Sequence, residues 1–265
     1  MIKRRQFAQL AAAGIAGVLA AGASSAVAQS AGPRTFVLVH GAWHGGWCWR
    51  HVEDLLRAEG HRVFSPTLTG LGERSHLMSN AITLETHIQD IVNVFKFEDL
   101  HDVTLVGHSY GGWPVSGALE HLENRVSSVI FLDAFLPEDG QKGIDQNSPE
   151  SIAAIKAAIE RGEVSRKGPS AAAFGVLAEN QAWVDKMTTP QPIGVSLTPV
   201  KLTGARDRIP KRSYIRAGRY AQPSFDRYLT ERKAAPGWKT HVVDSGHDVM
   251  VDYPRELTKL LLQFA

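Results

Sequence analysis

The residues best suited to chemistry lie in one short run, Gly107-His108-Ser109-Tyr110-Gly111-Gly112. A β-branched stretch, Asp102–Gly107 (DVTLVG), precedes it, and a helical one, Gly112–Leu122, follows. This is G-x-S-x-G in a strand–turn–helix setting, which lifts a serine hydroxyl above the end of a sheet. So sharp a turn needs neighbours almost free of side chain two positions away, and Gly107 and Gly111 meet that need. The following helix aims its positive N-terminal end at charge developing beside the serine. Ser109 is the candidate nucleophile.

A serine nucleophile needs a base, a carboxylate to orient that base, and donors for the oxyanion. The chain has 11 histidines, so histidine alone says little. His247 differs by position: it lies in Ser245-Gly246-His247-Asp248, just after the last predicted strand. For the acid, Asp133 sits in an apolar run, Phe131-Leu132-Asp133-Ala134-Phe135, so it should be buried and need a partner. The His247 imidazole would supply one. Asp207 is the alternative, but it precedes the penultimate strand. The loop after that strand, Gly218-Arg219-Tyr220-Ala221-Gln222, has no carboxylate. Asp248 is too near His247 in sequence to orient it easily.

The oxyanion donors should be two backbone N–H groups, from Tyr110 and from Ala42 in the loop after the first strand. Gly41 leaves room there for a substrate carbonyl. Gly41 and Trp43 are candidate substrate-binding residues, and Trp43, Tyr110, Phe135 and Trp183 are candidates for an apolar pocket. His40 and His44 are four apart but fall on a strand end and a loop with no third ligand nearby. They are read as structural or pocket-edge groups, and no metal site is expected.

The elements that must position these residues alternate. Strands are predicted over Thr35–His40, Arg62–Pro66, Asp102–Gly107, Ser127–Asp133, Lys211–Ala217 and Trp238–Asp244. Several are near-continuous apolar runs, as in strands buried on both faces of a parallel sheet. Helices are predicted over Trp47–Ala58, Leu84–Phe95, Gly112–Leu122, Phe225–Lys233 and Tyr253–Phe264. The fold class is therefore α/β, a doubly wound, mostly parallel sheet of about six strands. The interval between Asp133 and Lys211 is too long for a bare connection. It carries helical stretches at Pro149–Arg161 and Ala171–Lys186, and is read as an inserted helical cap at about 137–207.

Composition narrows the classes. Hydrophobic residues make up 43% of the 265 and charged residues 21%, as in a globular protein. A net charge of +2 gives no support to a nucleic-acid partner. The single cysteine, Cys48, rules out an internal disulfide and is read as a small core hydrophobe between Trp47 and Trp49.

Residues 1–28 read as an address. Lys3, Arg4 and Arg5 precede an Ala/Gly/Leu-rich stretch and the small-x-small site Ala26-Val27-Ala28. The paired arginines favour a twin-arginine signal over an ordinary secretory one. The expectation is export to the periplasm or medium, with cleavage after Ala28 and no stable membrane insertion afterwards. Removing the segment takes the formal charge from +2 to −1.

TFVLVHGAWHGGWCW, PTLTGLGERSH (Pro66–His76), VGHSYGG and the SGHD segment together resemble the α/β-hydrolase superfamily. The nearest branch holds plant methylesterases, hydroxynitrile lyases and bacterial esterases. The resemblance implies a cofactor-free Ser–His–Asp hydrolase with a covalent acyl-enzyme, with Ser109 and His247 in the triad. Plant members keep the acid after the penultimate strand; other members of the superfamily have it at the position of Asp133. Hydroxynitrile lyases of this branch place a threonine where Gly41 stands and a lysine where Asp248 stands. The expected function is hydrolysis of small to medium hydrophobic carboxylic esters. The alternatives are a hydroxynitrile lyase-like enzyme, or a ligand-binding protein on a hydrolase fold.

Overall fold

The computed structural model describes residues 32–265, so the address expected at 1–28 lies outside the described residues. The first half of the chain runs β1 (Thr35–Val39), α1 (Arg50–Ala58), β2 (Arg62–Phe64), α2 (Leu84–Phe97), β3 (Val103–His108), α3 (Gly112–Leu122) and β4 (Val126–Leu132). An insertion follows, with α4 (Pro149–Glu160), β5 (Ser165–Arg166), α5 (Ala178–Met187), β6 (Gln191–Pro192) and α6 (Ala205–Arg208). The chain then completes the sheet with β7 (Lys211–Ala217), α7 (Pro223–Ala234) and β8 (Trp238–Val243), before α8 (Val249–Asp252) and α9 (Pro254–Phe264).

Six strands form one parallel sheet in the order β2-β1-β3-β4-β7-β8. All six predicted strands are present. Alternate residues feed two apolar layers, as the two-residue period of a strand requires. Val37, Val39, Leu105, Val129 and Phe131 pack with Ile88, Ile91 and Phe95 of α2. Phe36, Leu38, Val106, Ile130 and Leu132 pack on the other side with Val52 and Leu56 of α1 and Leu257 and Leu261 of α9. Each such side chain stabilises the fold by about 1.5–3 kcal/mol relative to exposure. Cys48 is buried in this second layer with Trp47 and Trp49.

Helix starts follow local chemistry. Thr83 and Thr86 close a capping box at α2. Ser148 caps α4, and Pro149, Pro223 and Pro254 sit at first helical positions. The helix predicted from Trp47 begins instead with a tight 3-10 turn over Gly46–Trp49. The insertion is not purely helical as expected: β5 and β6 pair antiparallel within it. Strands of two residues carry no periodicity to read.

The strand order places the site. The chain leaves β1 toward β2 and returns to the other side of β1 as β3, so a crevice opens where β1 and β3 end. Register then sets the loops level. Val39 pairs with Gly107, His108 with Leu132, Leu132 with Ile215, and Ala217 with Val243. Gly41, Ser109, Asp133 and Arg216 consequently all lie at or just past one carboxyl edge.

Candidate active site

Ser109 follows β3 with φ +52°, a left-handed conformation rare outside glycine. Among the described residues five non-glycines have positive φ, and three of them, Trp43, Ser109 and Asp133, belong to this site. Such strain costs on the order of 1–3 kcal/mol each and persists only where the surroundings enforce it. They do so here by close approach. A Cβ on Gly111 would lie 2.8 Å from the His40 carbonyl oxygen, and one on Gly112 would overlap the Phe135 carbonyl. These two glycines let α3 start flush against β1 and the strand end that carries Asp133.

The base and acid predicted from sequence are brought together. His247 Nδ1 lies 2.6 Å from Asp133 Oδ2, and both side chains are buried. A carboxylate only accepts, so Nδ1 carries the hydrogen and Nε2 is left as the acceptor. The other Asp133 oxygen accepts from Arg216 Nη1 at 2.7 Å and from the Ala217 N–H at 3.0 Å. His247 is held further by its backbone: its N–H donates to the Phe174 carbonyl and its own carbonyl accepts from His108 Nε2. Tyr220 stacks on the imidazole at 4.3 Å between ring centres. Asp207 sits in α6 with an exposed side chain near Arg206, before β7 and away from this edge.

Arg216 and Tyr220 are two residues that sequence reasoning missed. The loop after the penultimate strand contributes an aromatic face in place of a carboxylate, and the strand itself contributes a buried guanidinium. A basic residue in KRSYIRA near the strand end was the available signal, since a buried cation implies a buried anion nearby.

The two candidate oxyanion residues are each braced by a buried, neutral histidine. Among the described residues the Ala42 N–H donates to no protein acceptor. The peptide that carries it is fixed from its other end, because His40 Nδ1 donates to the Gly41 carbonyl at 2.8 Å. The Leu68 N–H donates to His40 Nε2, which settles the tautomer. Burial lowers the His40 pKa to about 3. Tyr110 O–H donates to His87 Nδ1, since His87 Nε2 donates to the Thr69 carbonyl. Burial lowers His87 to about 4 and pushes the Tyr110 phenol well up.

His44 and Asp248 form a second buried pair at 3.1 Å. Burial opposes both charges, yet their mutual attraction prevails: Asp248 is held at about 2 and His44 is raised. His44 Nδ1 donates to the Ala42 carbonyl. His40 and His44 are thus structural, bracing consecutive carbonyls of the loop. Among the described residues no cluster of His, Cys, Asp or Glu could hold a metal.

Ser109, Tyr110, Ala42 and His247 line one cavity of about 170 Å³. Its apolar walls are Trp43, Trp113, Phe135, Phe174, Tyr220 and Phe225, and polar side chains also line it: Gln146, Asn147, Arg166, Gln191, Ser196 and Gln222. Trp183 does not line it; it packs instead on Trp47 and His51. Gly41 is not part of the wall either. A Cβ there would lie 2.9 Å from the Ser109 Cβ, so Gly41 permits the loop to touch the candidate nucleophile's own residue.

Known proteins match this architecture. A carbendazim hydrolyzing esterase from Nocardioides sp. (strain SG-4G) is 39% identical over 235 residues, spanning 85% of this chain and 97% of that one. Methylesterase 1 of Arabidopsis thaliana is 37% identical over 105 residues, covering 39% of this chain and 40% of that protein. An extracellular alpha/beta-hydrolase from a Paenibacillus species superposes with a TM-score of 0.74 at 25% identity, over 88% of this chain and 99% of that one. The model of the alpha/beta hydrolase family matches residues 36–260, so the chain belongs to that family, in the company of its esterases.

Proposed function

We propose that this esterase-type hydrolase cleaves small to medium, largely hydrophobic carboxylic esters through Ser109, His247 and Asp133. One observation carries the reading. A strained serine and a histidine share one small cavity, and that histidine is locked by a carboxylate so that its free nitrogen is an acceptor.

The steps follow from the residues. His247 Nε2 takes the hydroxyl proton as Ser109 attacks the ester carbonyl. The Ala42 and Tyr110 amides receive the oxyanion. His247 returns the proton to the leaving alcohol. It then activates a water that releases the acid from Ser109. Asp133 orients the imidazole and favours its transient charge. The cavity suits a compact substrate, because a space of about 150 Å³ lined by apolar side chains takes up one benzene.

Two features support hydrolysis over cyanohydrin cleavage. Gly41 has no room for the larger side chain that the lyases carry there, and Asp248 is committed to His44. Export through the signal read in residues 1–28 belongs to the same proposal.

The test is a panel of activated esters and carbendazim, run on the native enzyme and on Ser109→Ala. Loss of about a thousandfold or more in the variant is expected. Full activity in Ser109→Ala would overturn the mechanism.

A further inference from the structure

Among the described residues lining the cavity, one is a lysine or arginine, Arg166. Arg166 and Gln191 are directly opposed in the antiparallel β5–β6 pair. Opposed residues of such a pair project from the same face. Both line the cavity that holds Ser109 and His247.

Their polar atoms are left over. Gln191 is 1% exposed. Its Oε1 accepts from the Trp43 N–H, which leaves Nε2 as a buried donor with no acceptor among the described residues. Arg166 Nε is likewise buried and unpaired. No ion pair engages the Arg166 guanidinium among the described residues; it lies 4.7 Å over the Trp43 ring. The described cavity lining includes no Asp or Glu. Burial weakens the hold of this guanidinium on its proton, as expected for a cation without a counter-charge.

Unsatisfied buried donors are costly, and a half-buried cation with no counter-charge adds to that cost. Hydrophobic wall residues would avoid the cost. Both residues border the cavity next to Trp43, one residue from the Ala42 amide, and the Arg166 Nη1 and Nη2 groups, which are not sealed off like Nε, donate to no protein acceptor among the described residues. Trp43 is tied to the same wall again by Nε1–H donating to the Arg166 carbonyl.

We propose that Arg166 and Gln191 form an anion subsite, and that the preferred substrates are esters bearing a carboxylate a few atoms from the scissile carbonyl. This rests on the esterase reading above. The aromatic wall takes the hydrocarbon body and the guanidinium, with Gln191 paired beside it, takes the carboxylate. Water cleaves the ester C–O bond, giving an alcohol and a new carboxylic acid, while the bound carboxylate is unchanged.

The test compares matched esters on the native chain. One pair is monomethyl glutarate against methyl 4-carbamoylbutanoate, with the second carboxylate on the acyl side. The other is acetoxyacetate against acetoxyacetamide, with it on the alcohol side. In at least one pair the anionic ester should show a kcat/KM roughly ten to a hundred times that of its amide, as a charge-assisted hydrogen bond implies. Arg166→Met should bring that ratio down toward one, and Arg166→Lys should leave an intermediate value because it lacks the fork. Equal or better hydrolysis of the amides in both pairs overturns the subsite and leaves the esterase reading standing. So does a preference that survives in Arg166→Met. If no ester of either pair or of the activated panel is cleaved, the esterase reading fails and the subsite with it. The native preference needs no variant, so misfolding of Arg166→Met would not protect the idea.

Discussion

Arg216 and Asp133 meet at 2.7 Å, both buried, one at the end of β7 and the other just past the end of β4. The carboxylate thus faces two donors, a permanently charged guanidinium on Oδ1 and an imidazole N–H on Oδ2. The guanidinium also binds Asp226 through Nε and the Tyr220 carbonyl through Nη2. A carboxylate held this way keeps its orientation before any substrate arrives.

Removing Arg216 should therefore cost stability. Arg216→Met leaves a buried carboxylate short of its counter-ion, with an expected loss of about 3–5 kcal/mol. Asp226→Asn removes only an exposed partner and should cost less than about 1 kcal/mol. Urea unfolding of the two variants separates these outcomes.

Exchange of the acid should be as selective. Asp133→Asn is expected to lower kcat by about 10⁴, since the amide reverses the tautomer that His247 needs. Asp207→Asn should leave ester hydrolysis near the native rate, its side chain being exposed in α6. Steady-state kinetics on one activated ester decides between them.

His40 should matter for rate beyond its part in folding. His40→Ala frees the Gly41 carbonyl and the Leu68 N–H together, loosening the peptide that presents the Ala42 donor. A fall of about ten- to a hundredfold in kcat with little change in KM is expected, less than outright loss of an oxyanion donor. An unchanged kcat in a folded variant would remove His40 from the positioning of that amide.

Gly41→Ala tests the same loop sterically. The new methyl would press on Ser109 Cβ at 2.9 Å and on His108 Nδ1 at 3.0 Å. Activity should fall by at least about tenfold, since a misplaced nucleophile forfeits much of its alignment. The melting temperature should move much less.

Acid should unfold the protein early. Burial lowers the folded-state pKa of His40 to about 3, of His87 to about 4 and of His108 well below its usual range. These histidines are neutral when folded and protonate on unfolding. Their contribution is complete above pH about 6.5 and is lost as pH falls toward the folded values, at about 1.4 kcal/mol per pH unit for each. His44, raised through Asp248, works the other way, its contribution being complete below about 6.5 and lost as pH rises through its folded value. The net expectation is a steep decline in urea midpoint from pH 6.5 to 4. A flat profile across that range would contradict it.

The sheet was legible because strands buried on both faces leave unbroken apolar runs such as TFVLV and VSSVIFL. The serine turn was legible because its sterics admit few residue types. Asp133 was legible as a lone carboxylate among apolar neighbours. Arg216 was not singled out, because a charged residue looks exposed until its partner is known. Gln191 and Arg166 were hidden more deeply. Each sits on a strand of two residues in the insertion, and their pairing comes from backbone hydrogen bonds that leave no pattern in side-chain types.

Trp43 links the insertion to the first strand's loop three times over. Its N–H donates to Gln191, its indole donates to the Arg166 carbonyl, and its own carbonyl accepts from the Thr189 N–H. For anyone wishing to redesign the enzyme, the insertion is not an interchangeable module. A graft from a relative would have to bring its own acceptors for this tryptophan, or the transplanted specificity would arrive with the machinery out of alignment.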